Sequence, residues 1–150
     1  METGHKIMPT TYFIAFMVLS IGMHFLYPIQ KILYPPFTYF GFILILVGII
    51  INLWTDRLFK KTNTTVKPFK DPTVLLTAGP FRISRHPMYL GMVSILLGVA
   101  IIHGTIITFL FPILFAIIME FLFIPFEEQN LKRIFGVQYV DYKKKVRRWI

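Results

Sequence analysis

The chain has 150 residues, of which 55% are hydrophobic and 15% are charged, with a net charge of +9. Soluble domains carry about 25% charged residues, so this composition argues against a soluble protein. The absence of cysteine excludes disulfides, thiolate catalysis and cysteine-based metal sites. The basic residues are confined to segments between apolar stretches, so we expect anionic lipid headgroups and not nucleic acid as their counterpart.

Long apolar stretches predict four membrane-spanning helices. Residues 7–30, 32–55 and 87–119 contain no Lys, Arg, Asp or Glu. As a single helix the third stretch would be about 50 Å long, whereas a bilayer core is about 30 Å thick, so we place a break at His103-Gly104. The half before this break is barely long enough to span. The sequence predicts one domain, 1–150, with spans at about 10–29, 36–55, 88–102 and 105–126.

The distribution of basic residues predicts the topology. Of 16 Lys and Arg residues, seven lie in 57–87 and seven in 127–150. With four spans these two segments share one side of the membrane with the N-terminus, and the positive-inside rule makes that side cytoplasmic. Three spans would leave the tail outside despite its charge. We therefore predict an all-α integral membrane protein with both termini, a loop 57–87 and a tail 127–150 in the cytoplasm.

The tail carries apolar residues near helical spacing, with Lys and Arg between them. This pattern predicts a basic amphipathic helix at the membrane surface, with a kink or break at Gly136. The apolar residues of the pattern are Leu131, Ile134, Phe135, Tyr139, Tyr142, Val146 and Trp149.

Two polar clusters border the last two predicted spans. The segment 79–91 places Arg82, Arg85, His86 and Tyr89 at the start of an apolar stretch, and another apolar stretch ends in Glu127-Glu128. Because two consecutive antiparallel spans return the chain to the same membrane surface, these clusters lie at one edge of the bilayer. The sequence thus predicts an active site at the boundary between water and lipid.

Glu120 lies inside the last predicted span, where an ionisable residue is a candidate functional group. It precedes Glu127 by seven residues, which places both on nearly the same helical face. Two interpretations remain open: a residue lining a route for a cationic group, or a glutamate hydrogen-bonded to a neighbouring helix. The histidines His5, His24 and His103 are scattered without a second ligand at metal spacing, so we predict no metal site.

The order of three short motifs resembles a known family. They are Arg-His-Pro-x-Tyr-x-Gly at 85–91, Glu-Glu-x-x-Leu at 127–131 and Phe-Gly-x-x-Tyr-x-x-Tyr-x-x-x-Val-x-Arg at 135–148. This order is similar to that of the isoprenylcysteine carboxyl methyltransferase family and the related phospholipid N-methyltransferases. The resemblance covers about residues 62–150, whereas the first two helices match only as apolar spans.

The resemblance implies a membrane enzyme that uses S-adenosylmethionine, held in a cytoplasmic pocket that the loop and the tail helix close. A lipidic or amphiphilic acceptor would enter from the bilayer. Whether its methylated group is a carboxyl, an amine or a thiol stays open. By this resemblance the catalytic residues are Arg85, Glu127 and Arg147. The cofactor-binding residues are His86, Tyr89, Leu90, Glu127, Glu128, Tyr139 and Tyr142.

Methyl transfer from a sulfonium requires alignment and exclusion of water more than acid–base catalysis. Arginine side chains, from Arg85, Arg147 or Arg148, can pair with the cofactor carboxylate. Either glutamate of the pair can accept hydrogen bonds from ribose hydroxyls or the ammonium group, and the tyrosines can stack on adenine. The competing interpretations are structural: arginines that anchor headgroups, a surface pair between the glutamates and Lys132, and tyrosines in an interfacial belt.

Two other classes of function remain open. Membrane sterol reductases share a similar C-terminal architecture but use NADPH. A non-catalytic membrane protein could use its basic face to bind anionic lipid or a partner. A homodimer is also plausible, because four helices bury little interior.

Overall fold

The computed structural model of the protein describes residues 7–64 and 70–150, so the predicted cytoplasmic N-terminus, His5 and part of the loop 57–87 lie outside the described ranges. Within those ranges the chain is helical, and its only strand-like pairing is an isolated bridge between Lys31 and Thr105. The helices are α1 (Pro9–Leu26), α2 (Phe40–Lys61), α3 (Pro87–His103), α4 (Ile106–Ile118), a π turn (Met119–Phe123), α5 (Ile124–Phe135) and α6 (Val137–Lys145), with short 3-10 helices at Phe37–Tyr39 and Gly79–Arg82.

Three of the described helices are long and apolar enough to cross a membrane: Pro9–Leu26, Phe37–Lys61 and the continuous Ile106–Phe135. The fourth apolar helix, Pro87–His103, is shorter at 17 residues. It ends where the sequence predicts a break, because Gly104 adopts a left-handed conformation with φ of 68°. The all-α integral membrane fold is thus confirmed, and the side of the membrane that each end faces stays a prediction.

Several helix ends differ from the predicted spans. Helix α1 ends at Leu26 instead of residue 29, because Tyr27 precedes Pro28 and a residue before proline disfavours helical backbone. Helix α2 continues to Lys61, beyond residue 55, and its basic last turn suits the negative end of the helix dipole. The last spanning helix continues to Phe135 because the first strong break is Gly136, with φ of 51°.

Helices α2 and α3 pack with their backbones in direct contact at two pairs of glycines. A Cβ atom built on Gly48 would lie 2.5 Å from the carbonyl oxygen of Gly91, and one built on Gly98 would lie 2.5 Å from that of Gly41. Gly41 and Gly48 of α2 are seven residues apart, as are Gly91 and Gly98 of α3, so the two glycines of each helix lie on one face. Small residues that allow such close approach stabilise helix pairs in lipid, where the hydrophobic effect between helices is absent.

Helix α3 lies at the centre of the bundle, with α2 on one side and α4 on the other, while α1 packs mainly on α4. Aromatic rings fill the α1–α4 contact: Phe13 and Phe16 both meet the fully buried Phe115 in edge-to-face geometry. This arrangement brings the start of α3 and the polar end of the Ile106–Phe135 helix to the same end of the bundle, as the two polar clusters require.

The tail folds back over the loop that follows α2. Tyr139 and Tyr142 are buried together with Leu76 and Phe81 of the loop, and Leu58, Phe59, Leu75, Leu131, Phe135 and Val146 pack around them. The apolar stripe predicted for the tail therefore covers protein and forms a small second core. This core closes one side of a groove at the polar end of the bundle.

Candidate active site

An open groove at this end of the bundle contains about 820 Å³ of empty space, including its mouth. The polar side chains that line it, which we name the polar wall, are Arg85 and His86 before α3, Tyr89 of α3, and Glu127 and Asn130 of α5. Most of the apolar lining residues come from the end of α2 and the loop: Phe59, Val74, Leu75, Leu76 and Phe81.

Glu127 joins the two elements of the polar wall. Its carboxylate accepts a hydrogen bond from the Tyr89 hydroxyl at 2.5 Å and one from His86 Nδ1 at 3.1 Å. The rings of His86 and Tyr89 lie nearly parallel, with centroids 5.8 Å apart. Because Glu127 is only partly buried and borders the groove, its carboxylate is accessible to a ligand while two side chains fix its orientation.

Glu128 has a different environment from its neighbour. Its side chain is 8% exposed and pairs with Arg85 at 3.0 Å and with Arg148, whose Nε and terminal nitrogen lie 3.2 and 3.0 Å from its two oxygens. Adjacent residues on a helix point about 100° apart, so one glutamate faces the groove and the other faces the tail. Glu128 therefore serves as the anion that holds two arginines, and it does not line the groove.

Two buried nitrogens on the polar wall have no hydrogen-bond partner among the described residues: Arg85 Nε and His86 Nε2. His86 Nε2 lies 3.5 Å from a Glu128 oxygen without forming a hydrogen bond. Both side chains are more than nine-tenths buried and line the groove. Because these two nitrogens are themselves buried, Arg85 and His86 line the groove through their other atoms.

The electrostatics of the groove favour a protonated His86. Burial lowers the pKa of His86, but the hydrogen bond and charge of Glu127 and the nearby charge of Glu128 outweigh burial and raise this pKa above its ordinary value of 6.5. Burial, followed by the charge of Glu128, raises the pKa of Tyr139 to about 12, so its phenol stays neutral. Its oxygen lies 3.4 Å from an Arg85 nitrogen, which donates to it.

Comparison with known proteins identifies the family. A family model described as phospholipid methyltransferase matches residues 37–138, about two thirds of the chain. This protein belongs to the phospholipid methyltransferase family.

Individual members of the family agree with the resemblance that the motifs predict. The chain is 32% identical over 114 residues to protein-S-isoprenylcysteine O-methyltransferase A of Arabidopsis thaliana, covering 71% of this chain and 55% of that protein. It is 28% identical over 116 residues to a probable protein-S-isoprenylcysteine O-methyltransferase of Oryza sativa, covering 73% and 58%. The chain thus spans little more than half the length of these curated relatives.

A solved structure shares the fold. The eukaryotic intramembrane Ras methyltransferase ICMT (isoprenylcysteine carboxyl methyltransferase) superposes with a TM-score of 0.65 and 24% sequence identity, over 98% of this chain and 53% of that one. At this identity the likeness concerns the fold. It extends to α1, which the family model does not include. Helix α2, which the motif resemblance matched only as an apolar span, lies within residues 37–138 of the family match.

The structure of this phospholipid methyltransferase family member brings most of the predicted site residues together. His86, Tyr89, Glu127, Tyr139 and Tyr142 all line the groove, as does the predicted catalytic Arg85. The Tyr142 hydroxyl is already engaged, since it donates to the Phe81 carbonyl at 2.7 Å. Its ring therefore faces the groove while its oxygen anchors the loop.

Three predicted residues do not line the groove, and Glu128, which holds the two arginines, is one of them. Leu90 does not line the groove, whereas its neighbours Tyr89 and Met88 do, because consecutive residues of α3 point in different directions. Arg147 is exposed, and its backbone carbonyl accepts a hydrogen bond from the Arg85 N–H at 3.1 Å. The tail arginine that enters the polar cluster is Arg148, which the sequence left as an alternative.

Asn130 and Phe59 both line the groove, and neither was predicted from the sequence to be a site residue. Asn130 follows Glu127 by three residues, so helical spacing alone places it on the same face. Phe59 could not be found in this way, because it lies beyond the predicted end of the second span and reaches the groove only since α2 continues to Lys61.

The raised pKa of His86 predicts how stability depends on pH. The ion pairs of the imidazolium are fully present below about pH 6.5 and are lost as the pH rises through the raised folded pKa. We expect the unfolding temperature of the detergent-purified protein to fall as the pH rises from 6 to 9. His86→Gln should reduce this dependence, so parallel pH profiles for the two proteins would contradict the assignment.

Proposed function

We propose that this protein transfers a methyl group from S-adenosylmethionine to a membrane-embedded or amphiphilic acceptor at the cytoplasmic membrane interface. The observation that carries the proposal is a groove lined by both polar and apolar side chains, at the end of an apolar helix bundle. Such a groove suits a reaction between a polar cofactor and a lipid-like acceptor. Family membership supports methyl transfer as the chemistry.

The residues of the polar wall fit S-adenosylmethionine. Glu127 retains acceptor capacity for ribose hydroxyls or for the ammonium group beyond the two hydrogen bonds that it accepts. The positive charge of Arg85, which lines the groove, suits the cofactor carboxylate. The faces of Tyr139 and Tyr142 suit adenine or the sulfonium. When bound, the cofactor supplies an electrophilic methyl group.

The chain itself would contribute orientation and exclusion of water. The apolar residues Leu75, Leu76 and Phe81 line the same groove as Glu127. They would hold an apolar part of the acceptor and keep water from the reacting methyl group. The relatives named as isoprenylcysteine O-methyltransferases favour a carboxylate as the acceptor, with amines and thiols as alternatives.

Calorimetric titration with S-adenosylhomocysteine tests the cofactor, with NADPH as the parallel ligand. We expect the detergent-purified protein to bind S-adenosylhomocysteine with a dissociation constant in the micromolar range, about −8 kcal/mol. The amphiphilic acceptor is then tested with radiolabelled S-adenosylmethionine and farnesylated cysteine analogues that carry a free or an amidated carboxyl group. Label transfer to the free acid alone would support a carboxyl acceptor.

The other outcomes separate the competing functions. Binding of NADPH without S-adenosylhomocysteine would indicate a reductase. Binding of neither, together with binding to anionic vesicles that depends on the basic residues 143–148, would indicate a non-catalytic lipid-binding protein. Binding of S-adenosylhomocysteine without transfer to either analogue would leave the cofactor proposal intact and contradict the prenyl-type acceptor.

A further inference from the structure

Glu120 is an ionisable residue within the last spanning helix, and the structure shows what it binds. Its two oxygens accept hydrogen bonds from the Arg148 guanidinium and from Trp149 Nε1, the latter at 2.8 Å. Both partners belong to the segment 146–150 after α6, which we name the strap. Neither sequence-based interpretation of Glu120 describes this contact, because its partners lie in the tail and not on a neighbouring membrane helix.

The π turn at Met119–Phe123 explains the contact. In a regular helix Glu120 shares a face with Glu127, seven residues on, whereas Glu128 is rotated from it by about 80°. One additional residue in the turn shifts the register, so that Glu120 and Glu128 point the same way. Pro125 accounts for the turn, since proline lacks an N–H and clashes with the carbonyl four residues earlier. Arg148 then reaches both carboxylates, and Glu127 is left facing the groove.

The strap is also fixed to the segment that precedes α3. The Arg85 N–H donates to the Arg147 carbonyl at 3.1 Å, and the fully buried Ser84 hydroxyl donates to the Arg148 carbonyl at 3.0 Å. The same hydroxyl accepts a hydrogen bond from the His86 N–H at 3.1 Å. Trp149 packs its ring against the core that contains Tyr89 and Met119. The strap thus contacts the backbone segment that carries Arg85 and His86.

The contacts form one continuous chain of charges from the membrane helix to the groove. Glu120 binds Arg148, Arg148 binds Glu128, and Glu128 binds Arg85. Arg85 lines the groove but has no direct contact with Glu120. A change at Glu120 therefore reaches Arg85 through Arg148 and Glu128, and Trp149 provides a second connection to Tyr89.

We propose that Glu120 and Arg148 are positioning residues of the active site. They hold Glu128 and the strap in place, and through them they set the orientation of Arg85 and His86 toward the cofactor. This inference rests on the proposed function, since it assigns a role toward the same ligand. Neither residue lines the groove, so neither is expected to touch the cofactor itself.

The first test measures S-adenosylhomocysteine binding by calorimetry in Glu120→Gln and Arg148→Met. We expect the dissociation constant to rise about threefold to tenfold in Glu120→Gln and more in Arg148→Met, which loses both carboxylate contacts. Lys144→Met is the matched control, because it removes an exposed ion pair with Asp141 on the same tail. Glu120→Gln is nearly isosteric, so it keeps the test decisive if Arg148→Met fails to fold.

A second readout distinguishes positioning from general loosening. It is the titration of the His86 ring, followed by NMR of histidine-labelled protein and assigned with His86→Gln. The charged and titratable groups around His86 are Glu127 and Glu128 of α5, Tyr89 of α3, Arg85 of the loop, and, through Glu128, Lys143 and Arg148 of the tail. Removing the Glu120 charge should lower the pKa of His86, and removing the Arg148 charge should raise it. A loosened structure would shift both variants in the same direction.

The outcomes separate the two proposals. A wild-type protein that does not bind S-adenosylhomocysteine contradicts the proposed function and this inference with it. A wild-type protein that binds, with Glu120→Gln and Arg148→Met binding equally well, contradicts the positioning role alone. Equal losses of affinity in Lys144→Met would also overturn it.

Discussion

We expect Glu127→Gln and Glu128→Gln to affect different properties of the protein, although they make the same chemical change at adjacent positions. Glu127→Gln should fold normally and lose ligand affinity, whereas Glu128→Gln should lose stability. Glu127 borders the groove and contacts only His86 and Tyr89. Glu128 is buried and is the shared anion of Arg85 and Arg148.

The magnitudes follow from these contacts. Hydrogen bonds to a charged group contribute about 1.5–3 kcal/mol, so Glu127→Gln should raise the dissociation constant of S-adenosylhomocysteine about tenfold to a hundredfold. Removing one partner of a buried ion pair costs about 3–5 kcal/mol, because the remaining charge is left uncompensated. Glu128→Gln should therefore lower the free energy of unfolding by an amount of this order, with Arg85 stranded in a buried position.

Thermal unfolding and calorimetric titration of both variants in the same detergent check this prediction. An unfolding temperature for Glu127→Gln within a few degrees of the wild type, together with weakened binding, is the expected result. Equal stability of the two variants would show that the glutamates have interchangeable roles, and it would contradict the assignment of Glu127 to the ligand and Glu128 to the protein.

The second large effect concerns the contact between α2 and α3. Gly48→Ala should destabilise the protein by about 1–3 kcal/mol, since the new methyl group would lie 2.5 Å from a backbone oxygen and the helices would have to separate. Gly22→Ala on α1 is the control, because a Cβ atom there meets nothing within 4 Å. In a helix this change is neutral or stabilising by up to about 1 kcal/mol.

Unfolding of the two glycine variants is compared by circular dichroism in the same detergent. A lower unfolding temperature for Gly48→Ala and an unchanged or higher one for Gly22→Ala would establish the close contact. If both variants unfold at the same temperature as the wild type, the helices do not approach at Gly48 as closely as the structure indicates. Gly98→Ala, at the other close contact between α2 and α3, should behave like Gly48→Ala.

Part of the site was predictable because it depends on short-range order. The motif around His86 and Tyr89 starts one helix and the glutamate pair lies near the end of the next, so the helical hairpin between them brings both to one end of the bundle. The helix break at Gly104 follows from local chemistry, as glycine tolerates the left-handed conformation that ends α3. The amphipathic spacing of Tyr139 and Tyr142 likewise predicts that they share a face.

The remaining assignments depended on packing. Residues 147 and 148 are both arginines, and although the Val-x-Arg motif ends at Arg148, only packing showed that Arg148 joins two carboxylates while Arg147 is exposed. A seven-residue spacing placed Glu120 with Glu127, but one π turn moved its contact to Glu128. The tail was predicted to be an amphipathic helix at the membrane surface that helps to close the pocket, and packing decided that Tyr139 and Tyr142 of its apolar stripe meet Leu76 and Phe81 of the loop.

The sequence by itself determined the class of the protein and the residue types of its site. Apolar stretches with charge-free interiors leave no alternative to membrane helices, and the motifs carry the family. Only the tertiary structure decided which of two neighbouring glutamates faces the groove and which arginine holds the other. These choices depend on helix register and on distances between segments far apart in the chain, and a one-residue shift rotates a side chain by about 100°.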